Sequence, residues 1–157
     1  VKLEQYSLDA ADRRILAAMQ DNPEAPIAQL ALAAGLSQTP CWRRIKRLQD
    51  AGVLRRRAWL LNAAKLGLDV NVFAEVKLKQ HDEETLEAFE HSMRECPQIV
   101  ECFSMGGQSD YMLRVIIGSV ADYERLLKKV LLHLPGVGSI NSSFALATVK
   151  LTTDLPL

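Results

Sequence analysis

The sequence predicts an α+β protein, with an N-terminal three-helix helix-turn-helix unit followed by a ferredoxin-like β-α-β-β-α-β domain. Three observations carry this reading. Between Ile27 and Leu54, two short helical patterns flank the tripeptide Gly35-Leu36-Ser37. From Val70 onward the apolar period changes to two, as in a half-buried strand. Charge is also divided along a chain that is neutral as a whole. Residues 1–60 hold ten Lys/Arg and six Asp/Glu, a net +4, whereas residues 61–157 hold nine and thirteen, a net −4. A basic first third joined to an acidic remainder implies that only the first part meets a polyanion.

In chain order, Asp9 is placed to cap a first helix, with Asp12 three residues on, where an acid favours the N-terminal dipole. Ile15, Leu16 and Met19 form its apolar stripe, and Asn22-Pro23 ends it. Ile27, Leu30, Ala31 and Ala34 repeat at three- and four-residue spacing in a second helix. Gly35 then supplies the left-handed position that commonly follows a helix end. Ser37 can cap the third helix by accepting a bond from an unpaired backbone N–H, and Pro40 falls within its first turn, where no intrahelical donor is lost.

The third helix decides the first domain. Steps of about 100° per residue put Cys41, Ile45, Leu48 and Gln49 on one side. Thr39, Pro40, Arg43 and Arg47 fall opposite, with Arg44 and Lys46 on the flanks. Seven Lys/Arg between Ser37 and Arg57 face a single acid, Asp50. A charge run alone is most simply a solvated face. Joined to a capped start and a preceding helix–Gly–turn, it points to a recognition helix in the DNA major groove. Arg43 and Arg47 are the candidates for base or phosphate contact, with Ser37, Gln38, Thr39 and Pro40 at the groove-entering end and Arg44 and Lys46 beside them. Trp42 reads as a packing residue, and so does Cys41, since free cysteine behaves as a small apolar side chain.

Val53–Asn62 shows no helical stripe and is expected to be a strand or hinge leading out of the DNA-binding unit. Its Arg55, Arg56 and Arg57 either touch phosphates, which position without reading sequence, or are solvated. Trp59 is expected to pack. The domains are therefore drawn as a helix-turn-helix over 1–53, a hinge strand or linker over 54–66, and a ferredoxin-like effector-binding and oligomerisation domain over 67–157.

In the second domain Val70, Val72, Ala74, Val76 and Leu78 alternate with Asn71, Phe73, Glu75, Lys77 and Lys79. Glu83 to Cys96 reads as a helix with Leu86, Phe89 and Met93 on one face and Pro97 as its stop. Ile99–Met105 and Asp110–Ile117 read as strands joined through Gly106-Gly107-Gln108-Ser109. Ser119 and Asp122 form a capping pair before a helix carrying Tyr123, Leu126, Leu127, Val130, Leu131 and Leu134. Pro135-Gly136 breaks it, and Val137–Leu151 is expected to be the last strand, apolar on both sides. Two helices cover only one face of such a sheet, so the other is expected to pack on a second subunit. A two-fold dimer also sets two recognition helices for successive major grooves, about 34 Å apart.

Other classes of protein fit less well. Cys41, Cys96 and Cys102 are an odd count without C-x-x-C spacing, so they read as reduced thiols of a cytoplasmic protein. No run approaches 18 apolar residues and the first residues lack an apolar signal region, so no membrane partner is expected. His81, His91 and His133 stand apart, and no nucleophile elbow, phosphate loop or convergent carboxylate pair is present. No catalytic residue, metal ligand or cofactor is therefore expected. An RNA-recognition domain shares the strand order, but it stacks bases on aromatics of a basic central strand. Here that strand is DYMLRVII in an acidic domain.

The motifs LDAADRRIL at 8–16, LALAAGLSQTPCWRRIKRLQDAGVL at 30–54, WLLN at 59–62, GGQSDYMLRV at 106–115 and LPGV at 134–137 resemble the Lrp/AsnC family, the leucine-responsive or feast/famine bacterial transcription regulators. The resemblance runs from Leu8 nearly to the C-terminus. TPCWRRIKRL and the tail SSFALATVKLTTDLPL are similar to a branch that includes regulators of cysteine detoxification and of branched-chain or proline catabolism. It implies a winged helix-turn-helix, a RAM/ACT-like C-terminal domain, and an amino-acid effector bound between neighbouring dimers that assemble to octamers. It also places the effector loop at Met105, Gly106, Gly107, Gln108, Ser109, Asp110 and Tyr111. On the residues alone these glycines make a hairpin turn. As a ligand loop, glycine-rich backbone can direct N–H groups at a carboxylate while Asp110 or carbonyls hold an ammonium. Ser142 and Ser143 are weaker candidates for the facing wall.

The expected function is thus sequence-specific binding of double-stranded DNA, with assembly or affinity responding to a small amino acid. The alternative is a ferredoxin-like sensor or oligomerisation module without sequence-specific DNA binding. A pure sensor has no need of Arg43, Arg44, Lys46 and Arg47 on one helix.

Overall fold

The computed structural model describes residues 6–157. It divides into two compact units, Val1–Trp59 with Leu151–Leu157, and Leu60–Lys150. The tail Leu151–Leu157, assigned from sequence to the sheet domain, thus groups with the first unit. Its anchor is Gln20, whose side-chain amide donates to the Leu155 carbonyl (3.0 Å) and whose oxygen accepts from the Leu155 N–H (2.7 Å).

The first unit consists of α1 (Ala10–Asp21), α2 (Ile27–Ala34) and α3 (Gln38–Asp50). Asp9 and Asp12 form a reciprocal capping box at the start of α1. Gly35 ends α2 in the left-handed region at φ 68°. Ser37 occupies the cap position of α3, but its side chain makes no capping bond. The reason lies three residues on: Pro40 has no N–H at the position such a cap most often bonds. Ile15, Leu30, Ala31, Ala34 and Cys41 form the core, with Leu48 also fully buried. Cys41 therefore packs, as its place on the wheel requires, and burial pushes its thiol pKa up.

The second unit is a four-stranded antiparallel sheet of order β2-β3-β1-β4, formed by β1 (Val70–Leu78), β2 (Ile99–Ser104), β3 (Tyr111–Ile117) and β4 (Val137–Phe144). Helices α4 (Glu83–Glu95) and α5 (Val120–Lys129) complete the β-α-β-β-α-β order. Val72, Ala74, Val76, Leu113 and Val115 are fully buried on the helix side, with Phe89 of α4 and Leu131. Asp82 caps α4 and Ser119 caps α5, each through a side-chain oxygen. The second helix is shorter than its apolar spacing suggests. It ends at Lys129, and Leu131–His133 continue as a 3-10 turn before Pro135.

Of the strand or hinge expected for Val53–Asn62, no strand forms among the described residues, and residues 55–62 are an exposed linker. One expectation for the second unit changes. The last strand stops at Phe144 rather than Leu151. Phe144 pairs with Val72, and one further bond joins Ala145 N–H to the Asn71 carbonyl. Beyond that β1 has almost begun, so no partner backbone remains, and Leu146 and Val149 are almost fully exposed. The apolar residues on the sheet's uncovered face come from the other strands. The pairings set Phe103 beside Met112, and Glu101, Arg114 and Phe73 in one row. Arg114 donates to Glu101 and Asn71 across that face.

Candidate nucleic-acid interface and effector site

The arginines of α3 are divided by α1. Asp12 is fully buried, and both its oxygens accept from Arg47 Nη2, at 2.9 and 3.2 Å. Arg44 Nη1 donates to Asp12 at 2.9 Å and also to Asp9. The capping bond from the Asp12 N–H and the Arg44 guanidinium hold the Asp9 carboxyl down at about 2. On the same helix, Arg14 donates from Nε and Nη2 to the Ala34 carbonyl (3.2 and 3.0 Å), satisfying the end of α2. Arg14, Arg44 and Arg47 thus hold the helices of the bundle together. Arg44 and Arg47, read from the wheel as DNA-contacting, are also ion-pair partners of Asp12, with side chains 28% and 54% exposed. A helical wheel places a side chain around one helix but cannot see a carboxylate more than thirty residues away in sequence.

The exposed residues of α3 include Gln38, Thr39, Pro40, Trp42, Arg43, Lys46 and Arg47. Among the described residues Arg43 makes no salt bridge, whereas Lys46 pairs with Asp50 at 3.0 Å one turn on. Trp42, expected to pack, is 58% exposed, and Trp59 is more exposed still. Ser37, Arg55, Arg56 and Arg57 also lie on the surface. The exposed N-terminal end of α3 is therefore Gln38-Thr39-Pro40, with Trp42 and Arg43 behind it. Sequence reasoning missed the exposure of Trp42. The signal was its place on the helical wheel, 100° from Cys41 and so off the packed stripe.

In the second unit, the residues proposed for an effector are brought together only in part. Met105 to Gln108 are exposed and Ser109 is half-buried, with Gly107 at φ 151°. Asp110 already has a partner on each carboxylate oxygen. One oxygen accepts from the Leu78 N–H (2.7 Å), the other bonds His81 Nε2 (2.9 Å), and these partners, the first foremost, lower its pKa. With Asp110 N–H donating to the Val76 carbonyl, the residue ties the turn to the end of β1. Tyr111 turns inward: it is buried against Phe89, and its hydroxyl donates to Glu90 Oε1 at 3.0 Å. Burial first and that carboxylate second push its pKa up to about 12, so the phenol stays a donor. Ser142 and Ser143 do not form one wall. Ser142 Oγ lies 2.6 Å from the Tyr123 hydroxyl beneath α5, while Ser143 pairs with Phe73 on the uncovered face. Strand alternation separates them by construction.

Beside the turn lies a groove of about 350 Å³ between α4 and the edge strand β2, lined by Glu90, Met93, Arg94, Ile99, Cys102 and Tyr111 among others. Glu90 accepts from Tyr111 on one oxygen and from Arg94 Nη2 on the other (3.1 Å). The groove thus holds a cation and an anion side by side over an apolar floor. It contains residues from a helix and two strands, a convergence that linear spacing does not reveal.

A three-helix unit with an exposed, partly basic third helix, joined to a ferredoxin-like domain with a small polar groove, defines a DNA-binding regulator with a ligand-binding domain. Residues 8–55 match the winged helix-turn-helix DNA-binding family, and residues 71–155 match the Lrp/AsnC ligand binding domain. The chain belongs to the Lrp/AsnC family of transcription regulators, whose members are not enzymes. It is 35% identical over 150 residues to the DNA-binding transcriptional activator DecR of Escherichia coli (strain K12), covering 96% of this chain and 99% of the relative. It is 37% identical to the Bkd operon transcriptional regulator of Pseudomonas aeruginosa, covering 96% and 98%. Among solved structures, a Neisseria meningitidis transcriptional regulator in complex with L-Met superposes with a TM-score of 0.90, at 33% identity, covering 96% of this chain and 97% of that one. An AsnC family regulator from Agrobacterium tumefaciens gives 0.89 at 38%, covering 95% and 97%. Among the described residues, no helix is long and apolar enough to cross a membrane.

Proposed function

We propose that this protein is a cytoplasmic, amino-acid-responsive regulator that binds duplex DNA as a dimer and assembles further to an octamer. The observation that carries the DNA half is the outward end of α3, where Gln38, Thr39 and Arg43 are exposed on a helix whose other side is locked to α1. Arg43 reads a base edge. Arg55, Arg56 and Arg57, exposed just beyond α3, contact phosphates. The dimer forms through the uncovered sheet face, where Phe73 and Phe103 surround the Arg114–Glu101 pair. Its relative solved with L-Met supports an amino acid as effector. That effector sits where the Gly106–Ser109 turn meets the α4–β2 groove. Arg94 takes its carboxylate and Glu90 its ammonium, and the Met93–Ile99 floor meets its side chain.

The test is a DNA titration on a specific and a scrambled duplex at two salt concentrations, with light scattering on the same samples. A bidentate arginine–guanine contact discriminates by about 1–3 kcal/mol. Arg43→Ala is therefore expected to weaken binding to the specific duplex at least fivefold more than to the scrambled one. Substitution of Arg55–Arg57 is expected to weaken both alike and to reduce the salt slope. Equal losses on both duplexes for Arg43→Ala would demote it to a phosphate contact, and a monomer at working concentration would remove the dimer.

A further inference from the structure

We infer that Trp42 is a specificity-determining residue that reads the C5-methyl group of a thymine in the major groove. The inference rests on α3 being the helix that enters the groove. Among the apolar residues of α3, Cys41 and Leu48 are fully buried, Ile45 is half-buried, and Trp42 alone keeps most of its surface in water. It is not held outward by want of a neighbour. With Ile27, Gln38 and Thr39 it forms a shallow depression of about 250 Å³ at the groove-entering end of the helix. Its neighbour in sequence, Arg43, is exposed on the same helix and unpaired among the described residues.

The chemistry of the indole then narrows what it can recognise. It has one N–H donor, no acceptor, and a large apolar face. In an intact duplex the base faces are stacked out of reach, and the only apolar group on the major-groove edges is the thymine methyl. A depression lined by an indole and an isoleucine beside Gln38 and Thr39 receives such a group and gains nothing from the bare C5–H that cytosine presents in its place. Removing water from one methyl changes affinity about fourfold. That is the size of effect a single apolar contact can add to Arg43.

The test starts from a random-sequence duplex library, from which the full-length wild type and Trp42→Ala each select a preferred site. Each thymine of the wild-type site is then replaced by deoxyuridine, which removes only the methyl. One replacement is expected to weaken wild type about fourfold while leaving Trp42→Ala unchanged, and the selected sites are expected to differ at that position. As a second reading, Trp59→Phe leaves Trp42 as the sole tryptophan, and its emission is expected to change on adding the selected duplex. Indifference of wild type to every deoxyuridine overturns the inference. So does a Trp42→Ala loss spread evenly over all duplexes, or an unchanged emission. Wild-type protein that selects no sequence at all would remove the reading face itself, whereas a selected site indifferent to Trp42 removes only this contact.

Discussion

The Asp12 ion-pair cluster sets up the sharpest perturbation. Asp12 is fully buried and bonded to two arginines, Arg44 and Arg47, whose side chains are 28% and 54% exposed. Removing one arginine leaves the carboxylate with the other, so the loss is that of one charged hydrogen bond discounted for solvent, about 1 kcal/mol for Arg47→Ala and 1–2 for Arg44→Ala. Removing both strands a buried carboxylate, which costs about 3–5 kcal/mol. The double variant should therefore exceed the sum of the singles by about 1 kcal/mol or more. Net stabilities are only about 5–15 kcal/mol, so the double variant should lose a large share of the first unit's stability. Both tryptophans of the chain, Trp42 and Trp59, lie in that unit. Urea unfolding followed by tryptophan fluorescence therefore reports it selectively, and DNA affinity measured alongside should fall only as far as the folded fraction does. Additive losses, or a folded double variant that has lost DNA binding, would refute the reasoning and return Arg44 and Arg47 to the DNA-contacting set.

Two further outcomes concern pH and the effector. Asp9 sits at about 2 in the folded state against an ordinary 3.8, so its contribution is present above pH 3.8 and is lost as pH falls toward 2. The melting-temperature advantage of wild type over Asp9→Asn should be steady from pH 7 to 5 and fall away as pH drops through about 2, and a gap that widened on acidification would reverse the assigned sign. Calorimetric titration with a panel of free amino acids should find one that binds wild type and loses about tenfold or more in Arg94→Ala, as removal of a charge-assisted carboxylate contact requires. Binding that survives both Arg94→Ala and Gly107→Val would move the effector away from the groove and its turn.

The elements of this protein were legible because their causes are local. The Asp9–Asp12 capping box, the left-handed Gly35 and the two-residue alternation of β1 each depend on residues a few positions apart. So does the inward place of Cys41, which the helical period fixes. The β-α-β-β-α-β order follows from the same short-range signals. What needed tertiary structure was every feature set by distant partners. Arg44 and Arg47 lie off the apolar stripe of their helix, so their period alone reads as DNA-facing until Asp12 of another helix claims them. Asp110 reads as a free ligand until Leu78 and His81 occupy both its oxygens.

Sequence by itself thus determined which segments form helices and strands and which helix carries the cations. Tertiary structure decided which cations are ion-paired to another helix and where the sheet stops pairing. It also decided that Trp42 stays in water beside Thr39. The division is physical: a helix or strand selects its own faces within a turn or two, whereas a charge or a backbone group is satisfied by whatever the fold brings within about 3 Å of it.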